Sequence, residues 1–271
     1  MKVQTSKIAW KQVGVALLYV LLFSTVIALM AFSNVHQSQL KCWQVAVQIQ
    51  EADSGFSFLT PLEIQAICEE TNGGLMGKNA DQIDLASIRS VLLANPYIRK
   101  AQVYQTLDGR CNIDVSLRKP IAQVIDQAGS QFYIDAEGQL LPIKKGALAD
   151  VPIFLGDFRT PLLSEDIFKD DEANAFHQSV YWMAQSIQSH PLWNAQIDQV
   201  YWKGPIGWRI IPRMGNQEIW IGDSKDFEIK MKNLFVFYGK TLPHLDLDQY
   251  EVLDARFINQ IVGIKRNYIT A

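Results

Sequence analysis

The sequence predicts a single transmembrane helix followed by an α+β ectodomain, which is a small β-α-α-β-β module plus a larger domain on a mixed antiparallel sheet. Three observations predict this architecture, in chain order: an uncharged apolar run, two capped helices followed by a hairpin signal, and many short strand patterns. The predicted organisation is a cytoplasmic tail at residues 1–11, a transmembrane helix at 12–33, a linker at 34–40, the first module at 41–119 and the second domain at 120–271.

The transmembrane prediction depends on a run of 20 residues, Val13–Phe32, that carries no charge. At about 1.5 Å per residue, a helix of this length crosses the roughly 30 Å hydrocarbon core once. Lys2, Lys7 and Lys11 precede the run, and positive charges beside a span stay in the cytoplasm. We therefore expect a single-pass membrane protein with a cytoplasmic amino terminus and its bulk on the other side of the membrane, anchored by Val13, Leu17, Leu21, Phe23, Ile27 and Phe32.

The alternative interpretation of the same run is a cleaved signal peptide. The apolar region of such a peptide is typically about 7–15 residues long and ends in an A-x-A site. This run is longer, and its exit reads Met30-Ala31-Phe32-Ser33. The pattern therefore favours an uncleaved anchor.

Composition excludes some classes of function. The chain has 25 basic and 28 acidic residues, a net charge of −3, and the part after the three leading lysines carries −6. An acidic ectodomain lacks the basic stripe that binds phosphate groups, so neither nucleic acid nor an anionic lipid surface is an expected ligand.

The cysteines are too few for a disulfide framework. Cys42, Cys68 and Cys111 are an odd number, and secreted disulfide scaffolds carry more of them in even counts. A Cys68–Cys111 bridge remains one alternative, and small buried apolar residues are the favoured one.

The first module has strand, helix, helix and hairpin signals. Thr60-Pro61-Leu62-Glu63 combines an N-cap, a proline at the first helical position and a capping-box glutamate, and Asn72-Gly73-Gly74 ends that helix. A second helix is predicted from Leu85 to Ala94 behind an Asp84 cap, and Asp108-Gly109 is a turn between strands. The first strand alternates Trp43, Val45, Val47 and Ile49 with mostly polar residues.

The second domain has short strand patterns interrupted by two helices. Apolar residues at three- and four-residue steps predict the helices, which carry Ala173, Phe176, Val180, Met183 and Ile187, and then Phe227, Met231, Leu234, Phe235 and Tyr238. Strands are predicted at 132–134, 140–141, 196–203, 208–212, 218–221, 250–257 and 260–265.

No segment has a specific catalytic or metal-binding pattern. Gly73–Lys78 is glycine-rich, but its spacing is one residue short of a phosphate loop, and Asn79 stands where Ser or Thr would hold magnesium. The acidic run Asp170–Glu172 is interpreted as a complement to a helix dipole or as a simply solvated segment, rather than as a metal or acid–base site. The tryptophans Trp182, Trp193, Trp202, Trp208 and Trp220 suggest sheet core or a protein interface. We expect no enzyme, no metal and no cofactor.

Several motifs occur in a fixed order. They are Pro96-Tyr97-Ile98-Arg99-Lys100-Ala101-Gln102-Val103, Arg118-Lys119-Pro120-Ile121-Ala122, Tyr133-Ile134-Asp135-Ala136-Glu137-Gly138, a helix lysine at Lys230, Asp254-Ala255-Arg256-Phe257 and Asn259-Gln260-Ile261-Val262. With the single span before them, they resemble a diverged branch of the bacterial cell-division family FtsQ, called DivIB in other lineages. The chain departs from the family pattern in the longer Glu51–Phe58 stretch and in Arg118-Lys119.

The resemblance implies a POTRA domain as the first module and a non-enzymatic divisome scaffold at the division septum. It also implies that the anchor lies in the cell inner membrane and that the bulk of the chain is periplasmic. The implied partners are FtsB- and FtsL-like single-span division proteins, with FtsW/FtsI-like members beyond them, coupled to septal peptidoglycan synthesis. A final strand at a sheet edge accepts a partner strand. The expected partner-binding residues are Arg256, Phe257, Asn259, Gln260, Ile261 and Ile264, and proline at Gln260 or Ile261 is expected to abolish binding. For Phe257 and Ile261, a core-facing position is the alternative.

Three other classes of function stay open. A different POTRA-containing envelope-biogenesis or translocation factor would carry further POTRA repeats, and a membrane-tethered hydrolase would carry a catalytic constellation. A single-span sensor would need a cytoplasmic domain larger than the predicted tail. The sequence has no signal for any of these features.

Overall fold

The computed structural model describes residues 10–38, 41–50, 56–158, 166–169, 171–241 and 247–266. The predicted tail up to residue 9, residues 39–40 of the linker, residues 51–55 of the Glu51–Phe58 stretch and Asp170 of the acidic run lie outside the described residues. The chain divides into two compact units. The first is Met1–Glu51 with Leu59–Ser116, and the second is Ala52–Phe58 with Leu117–Ala271.

The predicted membrane anchor lies on helix α1 (Trp10–Ser38), which extends beyond the expected span at both ends. Five residues of the predicted linker are therefore helical. The side chains of Leu17, Leu21, Phe23 and Ile27 are exposed. Among the described residues, no helix combines the length and the apolarity needed to cross a membrane, so the span stays a prediction.

The first module has the predicted order of elements. Its bounds are β1 (Gln44–Gln50), α2 (Pro61–Asn72), a 3-10 turn (Ala80–Gln82), α3 (Leu85–Ala94), β2 (Ile98–Gln105) and β3 (Arg110–Leu117). Thr60 and Glu63 form the capping box of α2, and Gly73 ends it at φ 61°. Asp84 accepts two backbone N–H bonds at the start of α3. The strands lie in the order β1-β3-β2, with β1 parallel to β3.

The cysteines of this module are buried free thiols. Burial raises the pKa of Cys68 to about 11. It also raises the pKa of Cys111 to about 12, together with the neighbouring Cys42. A Cys68–Cys111 bridge is absent from the described residues, and the three side chains act as small apolar core residues.

The second unit contains a nine-stranded mixed sheet. Its strands are β4 (Pro120–Ile125), β5 (Gln131–Asp135), β6 (Leu140–Pro142), β7 (Ile153–Gly156), β8 (Ile197–Lys203), β9 (Gly207–Pro212), β10 (Glu218–Gly222), β11 (Tyr250–Asp254) and β12 (Val262–Lys265). The order across the sheet is β12-β11-β10-β9-β8-β7-β4-β5-β6. The β4–β7, β7–β8 and β10–β11 pairs are parallel. The connection from β4 to β7 contains β5 and β6, and each of the other two connections contains at least one helix.

Three helices pack with this sheet around one core. They are α4 (Asp171–Ser189), the unpredicted short α5 (Pro191–Gln196) and α6 (Phe227–Thr241), with 3-10 turns at Gly204–Ile206 and Leu247–Gln249. The core includes Phe154, Val180, Ile187, Trp193, Val200, Trp208, Ile210 and Leu234. Phe58 also belongs to this unit, because its buried ring packs edge-on against Tyr133 at 5.7 Å between centroids.

The last two strands are shorter than predicted. The expected strands 250–257 and 260–265 are Tyr250–Asp254 and Val262–Lys265 in the structure. The Asp254 carboxylate accepts a bond from the Arg256 backbone N–H at 3.1 Å, a local turn that replaces ladder pairing. Gln260 and Ile261 therefore precede β12, and the expectation that proline at either residue removes a ladder N–H is wrong.

Candidate partner-binding edge of the second domain

The candidate site is the outer edge of β12. This strand is at one end of the nine-stranded sheet and pairs antiparallel with β11. No other strand among the described residues lies beside it, and Val262, Gly263, Ile264 and Lys265 are all exposed. A strand in this position offers backbone N–H and C=O groups to a further strand.

The direction of the backbone groups in β12 follows from its neighbours. Residues along a strand point their N–H and C=O alternately to the two sides, and the Arg266 N–H donates inward to the Gln249 carbonyl at 2.8 Å. By alternation, the even-numbered residues of β12 bond to β11. Gly263 and Lys265 therefore direct their N–H and C=O groups outward.

Gly263 lies in close contact with a tyrosine ring of the neighbouring strand. A Cβ atom built on Gly263 would lie 2.5 Å from Cε1 of Tyr250, well inside van der Waals contact. The Tyr250 ring therefore covers the backbone of β12 on one face of the sheet. This contact keeps β12 close to β11.

An arginine lies at the start of the loop between β11 and β12. Arg256 donates from Nε to Oδ1 of Asp254 at 2.8 Å and from Nη2 to Oδ2 at 2.6 Å. Its guanidinium also lies over the Trp220 ring at 5.1 Å and near the Phe257 ring at 6.0 Å. The ion pair and the rings hold a positive charge in a defined place beside the edge.

The apolar residues of this region are partly exposed. Phe257, Ile258, Val262 and Ile264 are 49%, 45%, 41% and 41% exposed. Ile261 packs against the core instead, and Asn259 and Gln260 are exposed. Phe257 and Ile264 were predicted from the sequence as partner-binding residues, whereas Ile258 and Val262 were not. The side chain of Asn233 in α6 donates to the Ile258 carbonyl, a tertiary contact that no sequence pattern marks.

The lysine of the helix motif is a structural residue. Lys230 is buried, and its Nζ donates to the Ile221 and Asp223 carbonyls, both at 3.0 Å, and to Oδ1 of Asp223 at 2.9 Å. The hydrogen bond from Lys230 lowers the pKa of Asp223. An ammonium group has three donors, so all are used in joining α6 to the end of β10.

The motif around Pro120 also has a structural explanation. Arg118 Nη1 lies 2.8 Å from Oδ2 of Asp135 and 3.4 Å from Glu137. The other carboxylate oxygen of the buried Asp135 accepts the N–H groups of Glu137 and Gln139. These bonds close the turn between β5 and β6 and attach it to the start of β4.

Comparison with known proteins assigns both units. Residues 119–264, more than half of the chain, match the family described as FtsQ/DivIB, C-terminal related. The chain belongs to this FtsQ/DivIB family. Residues 40–116 match a POTRA-like domain. The resemblance inferred from the motifs is therefore confirmed, and the described chain after α1 consists of a POTRA-like module and a mixed β-sheet domain.

A relative with a similar sequence is the Cell division protein FtsQ of Rhodothermus marinus. It is 27% identical over 191 residues, which cover 66% of this chain and 65% of that protein. The chain thus spans slightly less than two thirds of the relative's length.

Proposed function

We propose that this chain is a membrane-anchored, non-enzymatic scaffold of the division machinery, whose β12 edge accepts a strand from an FtsB-like protein. An FtsL-like protein would join through that partner, and the assembly would couple to septal peptidoglycan synthesis through FtsW/FtsI-like members. The exposed edge of β12 carries this proposal, together with the family assignment. Strand addition of this kind derives affinity from main-chain hydrogen bonds and specificity from alternate side chains.

The residues around the edge suit such a role. Val262 and Ile264 lie on one face of β12, because alternate residues of a strand share a face. Arg256 and Phe257 place a cation and an aromatic ring beside the start of the edge, and Arg and aromatic residues are common anchors of interfaces. Asn259 and Gln260 would then act from the connecting loop rather than through ladder bonds, and Ile261 would support that loop from the core.

The test compares Lys265→Pro with Lys265→Thr in full-length protein co-expressed with FtsB- and FtsL-like proteins. Both variants remove the lysine charge, but only proline removes an outward N–H while the neighbouring inward bonds to β11 remain. We expect Lys265→Pro to lose co-purification of the partners and Lys265→Thr to retain it. A Lys265→Pro variant that is folded by circular dichroism and still binds would contradict strand addition.

The membrane anchor is a separate part of the proposal. The uncharged run Val13–Phe32 and the lysines before it support a cytoplasmic amino terminus and an inner-membrane location at the septum. A reporter that is active only outside the cytoplasm, fused after Ala271, should be active. The protein isolated from membranes should retain residues 1–32, and an amino terminus near Asn34 would instead indicate a cleaved signal.

A further inference from the structure

A groove of about 800 Å³ lies between α4 and the start of α6, and none of its lining residues belongs to β12. The groove face of α4 carries Ala175, Ser179, Trp182, Ser186 and Ser189, which recur at steps of three and four residues. It therefore follows the helix for roughly 20 Å at about 1.5 Å per residue. The opposite wall is formed by Asp226, Phe227, Glu228 and Ile229.

The apolar part of the groove is exposed. Trp182 is 57% and Ile229 is 45% exposed. Two neighbouring rings support the Trp182 ring. It packs edge-on against Tyr181, with 4.9 Å between ring centroids, and its centroid lies 6.2 Å from that of Phe168. A large aromatic side chain that is both exposed and fixed by neighbours is typical of an interface anchor.

The two walls are joined at one end. The Ser224 hydroxyl donates to the Ser179 hydroxyl at 3.2 Å, and Asp226 adopts a left-handed φ of 53° just before α6. These contacts fix the spacing of the walls near the amino end of α6. The groove is therefore a formed feature of the fold rather than a gap between independent helices.

The charges along the groove have one sign. Asp226 and Glu228 are the charged residues among its described lining, and no Lys or Arg is among them. Lys225 and Lys232 are close in sequence but do not line the groove. An occupant that places positive charge beside these carboxylates is favoured, and an acidic one is opposed.

We propose that this groove binds an amphipathic helix of a partner protein, which carries Lys or Arg beside an apolar stripe. Small residues on α4 allow a second helix to approach closely, and Trp182 and Ile229 contact its apolar stripe. A helix suits the site because it satisfies its own backbone hydrogen bonds. The described lining lies on α4, on the turn before α6 and on the first turn of α6, and includes no strand residue. About 14 residues of helix match its length. The proposal is independent of strand addition at β12.

The test uses the full chain in nanodiscs of zwitterionic lipid and two synthetic helical peptides of about 16 residues. The peptides share a Leu/Ala stripe, and one carries Lys where the other carries Glu. We expect the Lys peptide to bind at least tenfold more tightly than the Glu peptide. Trp182→Ala should weaken it at least fivefold, and Asp226→Asn with Glu228→Gln should remove the preference for Lys. The matched control is Glu70→Gln with Asp81→Asn in the first module, which should leave both affinities unchanged.

A photo-crosslinker at Gln185, an exposed residue of the groove, identifies the occupant in cells. Adducts that map to a basic amphipathic helix of another protein support the proposal, and Trp182→Ala should reduce their yield. Adducts to a second copy of this chain, adducts to an acidic or extended segment, or no adduct would overturn it. Equal affinity for the two peptides would overturn it as well.

Discussion

Arg256 holds Asp254, two residues before it, through two side-chain hydrogen bonds of 2.8 and 2.6 Å at the end of β11. Burial alone raises the pKa of the Asp254 carboxyl, but the hydrogen bonds and charge of Arg256 outweigh it, so that the pKa lies below its ordinary value. The same pair ends β11 and directs the guanidinium over Trp220. One local interaction thus sets both the length of the strand and the position of the cation.

Asp254→Asn should release this arginine. The amide keeps the size of the carboxylate but loses its charge and one acceptor, so we expect about 1 kcal/mol less stability and weaker binding of the FtsB-like partner. Urea denaturation and co-purification measure the two effects. The comparison variant is Arg256→Lys, which keeps the positive charge without the fork geometry. Unchanged binding by both variants would mean that Arg256 has no role at the edge.

Phe257→Ala distinguishes an interface anchor from a core residue. Because the ring is 49% exposed, its loss should leave thermal stability nearly unchanged. If the ring contacts the partner, the free energy of binding should become less favourable by roughly 1–3 kcal/mol. The control is Ile261→Ala, which should lower stability because Ile261 packs against the core. A large loss of stability with unchanged affinity in Phe257→Ala would place the ring outside the interface.

Gly263→Ala should disturb the edge through Tyr250. The new methyl group would lie 2.5 Å from the ring, so the ring or strand must move, at a cost of roughly 1–3 kcal/mol. The same substitution in a Tyr250→Ala background should cost much less, because the contact is gone. A double-mutant cycle by chemical denaturation measures this difference. Equal costs in the two backgrounds would contradict the contact.

Phe58→Ala tests whether the segment before α2 belongs to the second unit. The ring is 2% exposed, and Lys144 donates to the Phe58 carbonyl at 2.7 Å. Removal of a buried phenylalanine ring costs roughly 3–5 kcal/mol. We expect hydrogen exchange to increase in β5, around Tyr133, whereas the half-buried Phe56 should tolerate alanine better. Unchanged exchange in β5 would contradict the assignment.

His177 should make the second unit sensitive to mild acid. Burial beside Phe132 and Phe176 lowers its pKa below the ordinary 6.5, and neither ring nitrogen has a hydrogen-bond partner among the described residues. On acidification, the His177 imidazole therefore takes up a proton at a higher pH in the unfolded chain than in the folded chain. The free energy of unfolding decreases as the pH falls below about 6.5. Thermal denaturation from pH 7.5 to 5.5 measures this decrease. His177→Phe should show a smaller decrease, and an equal one would exclude His177 as its cause.

Much of the fold was predictable from local patterns. Thr60 with Glu63, Gly73 and Asp84 mark the helix ends, because caps satisfy backbone groups within a few residues of sequence. The order of elements and the family motifs are likewise local or sequential properties. The segment 256–265 was predicted to lie at or next to an exposed sheet edge, and its residues 262–265 form the end strand β12. The family assignment followed from the motifs.

The tertiary structure alone decided which residues of that segment are available. Residues far away in the sequence decide whether Ile261 packs inward and which β12 residues direct their backbone groups outward. They also decide whether Lys230, in α6, has a free donor. The same holds for Phe58, which shortly precedes α2 yet is buried against Tyr133 in the second unit. Burial and strand pairing are relations between distant segments, and the sequence pattern of one segment cannot determine them.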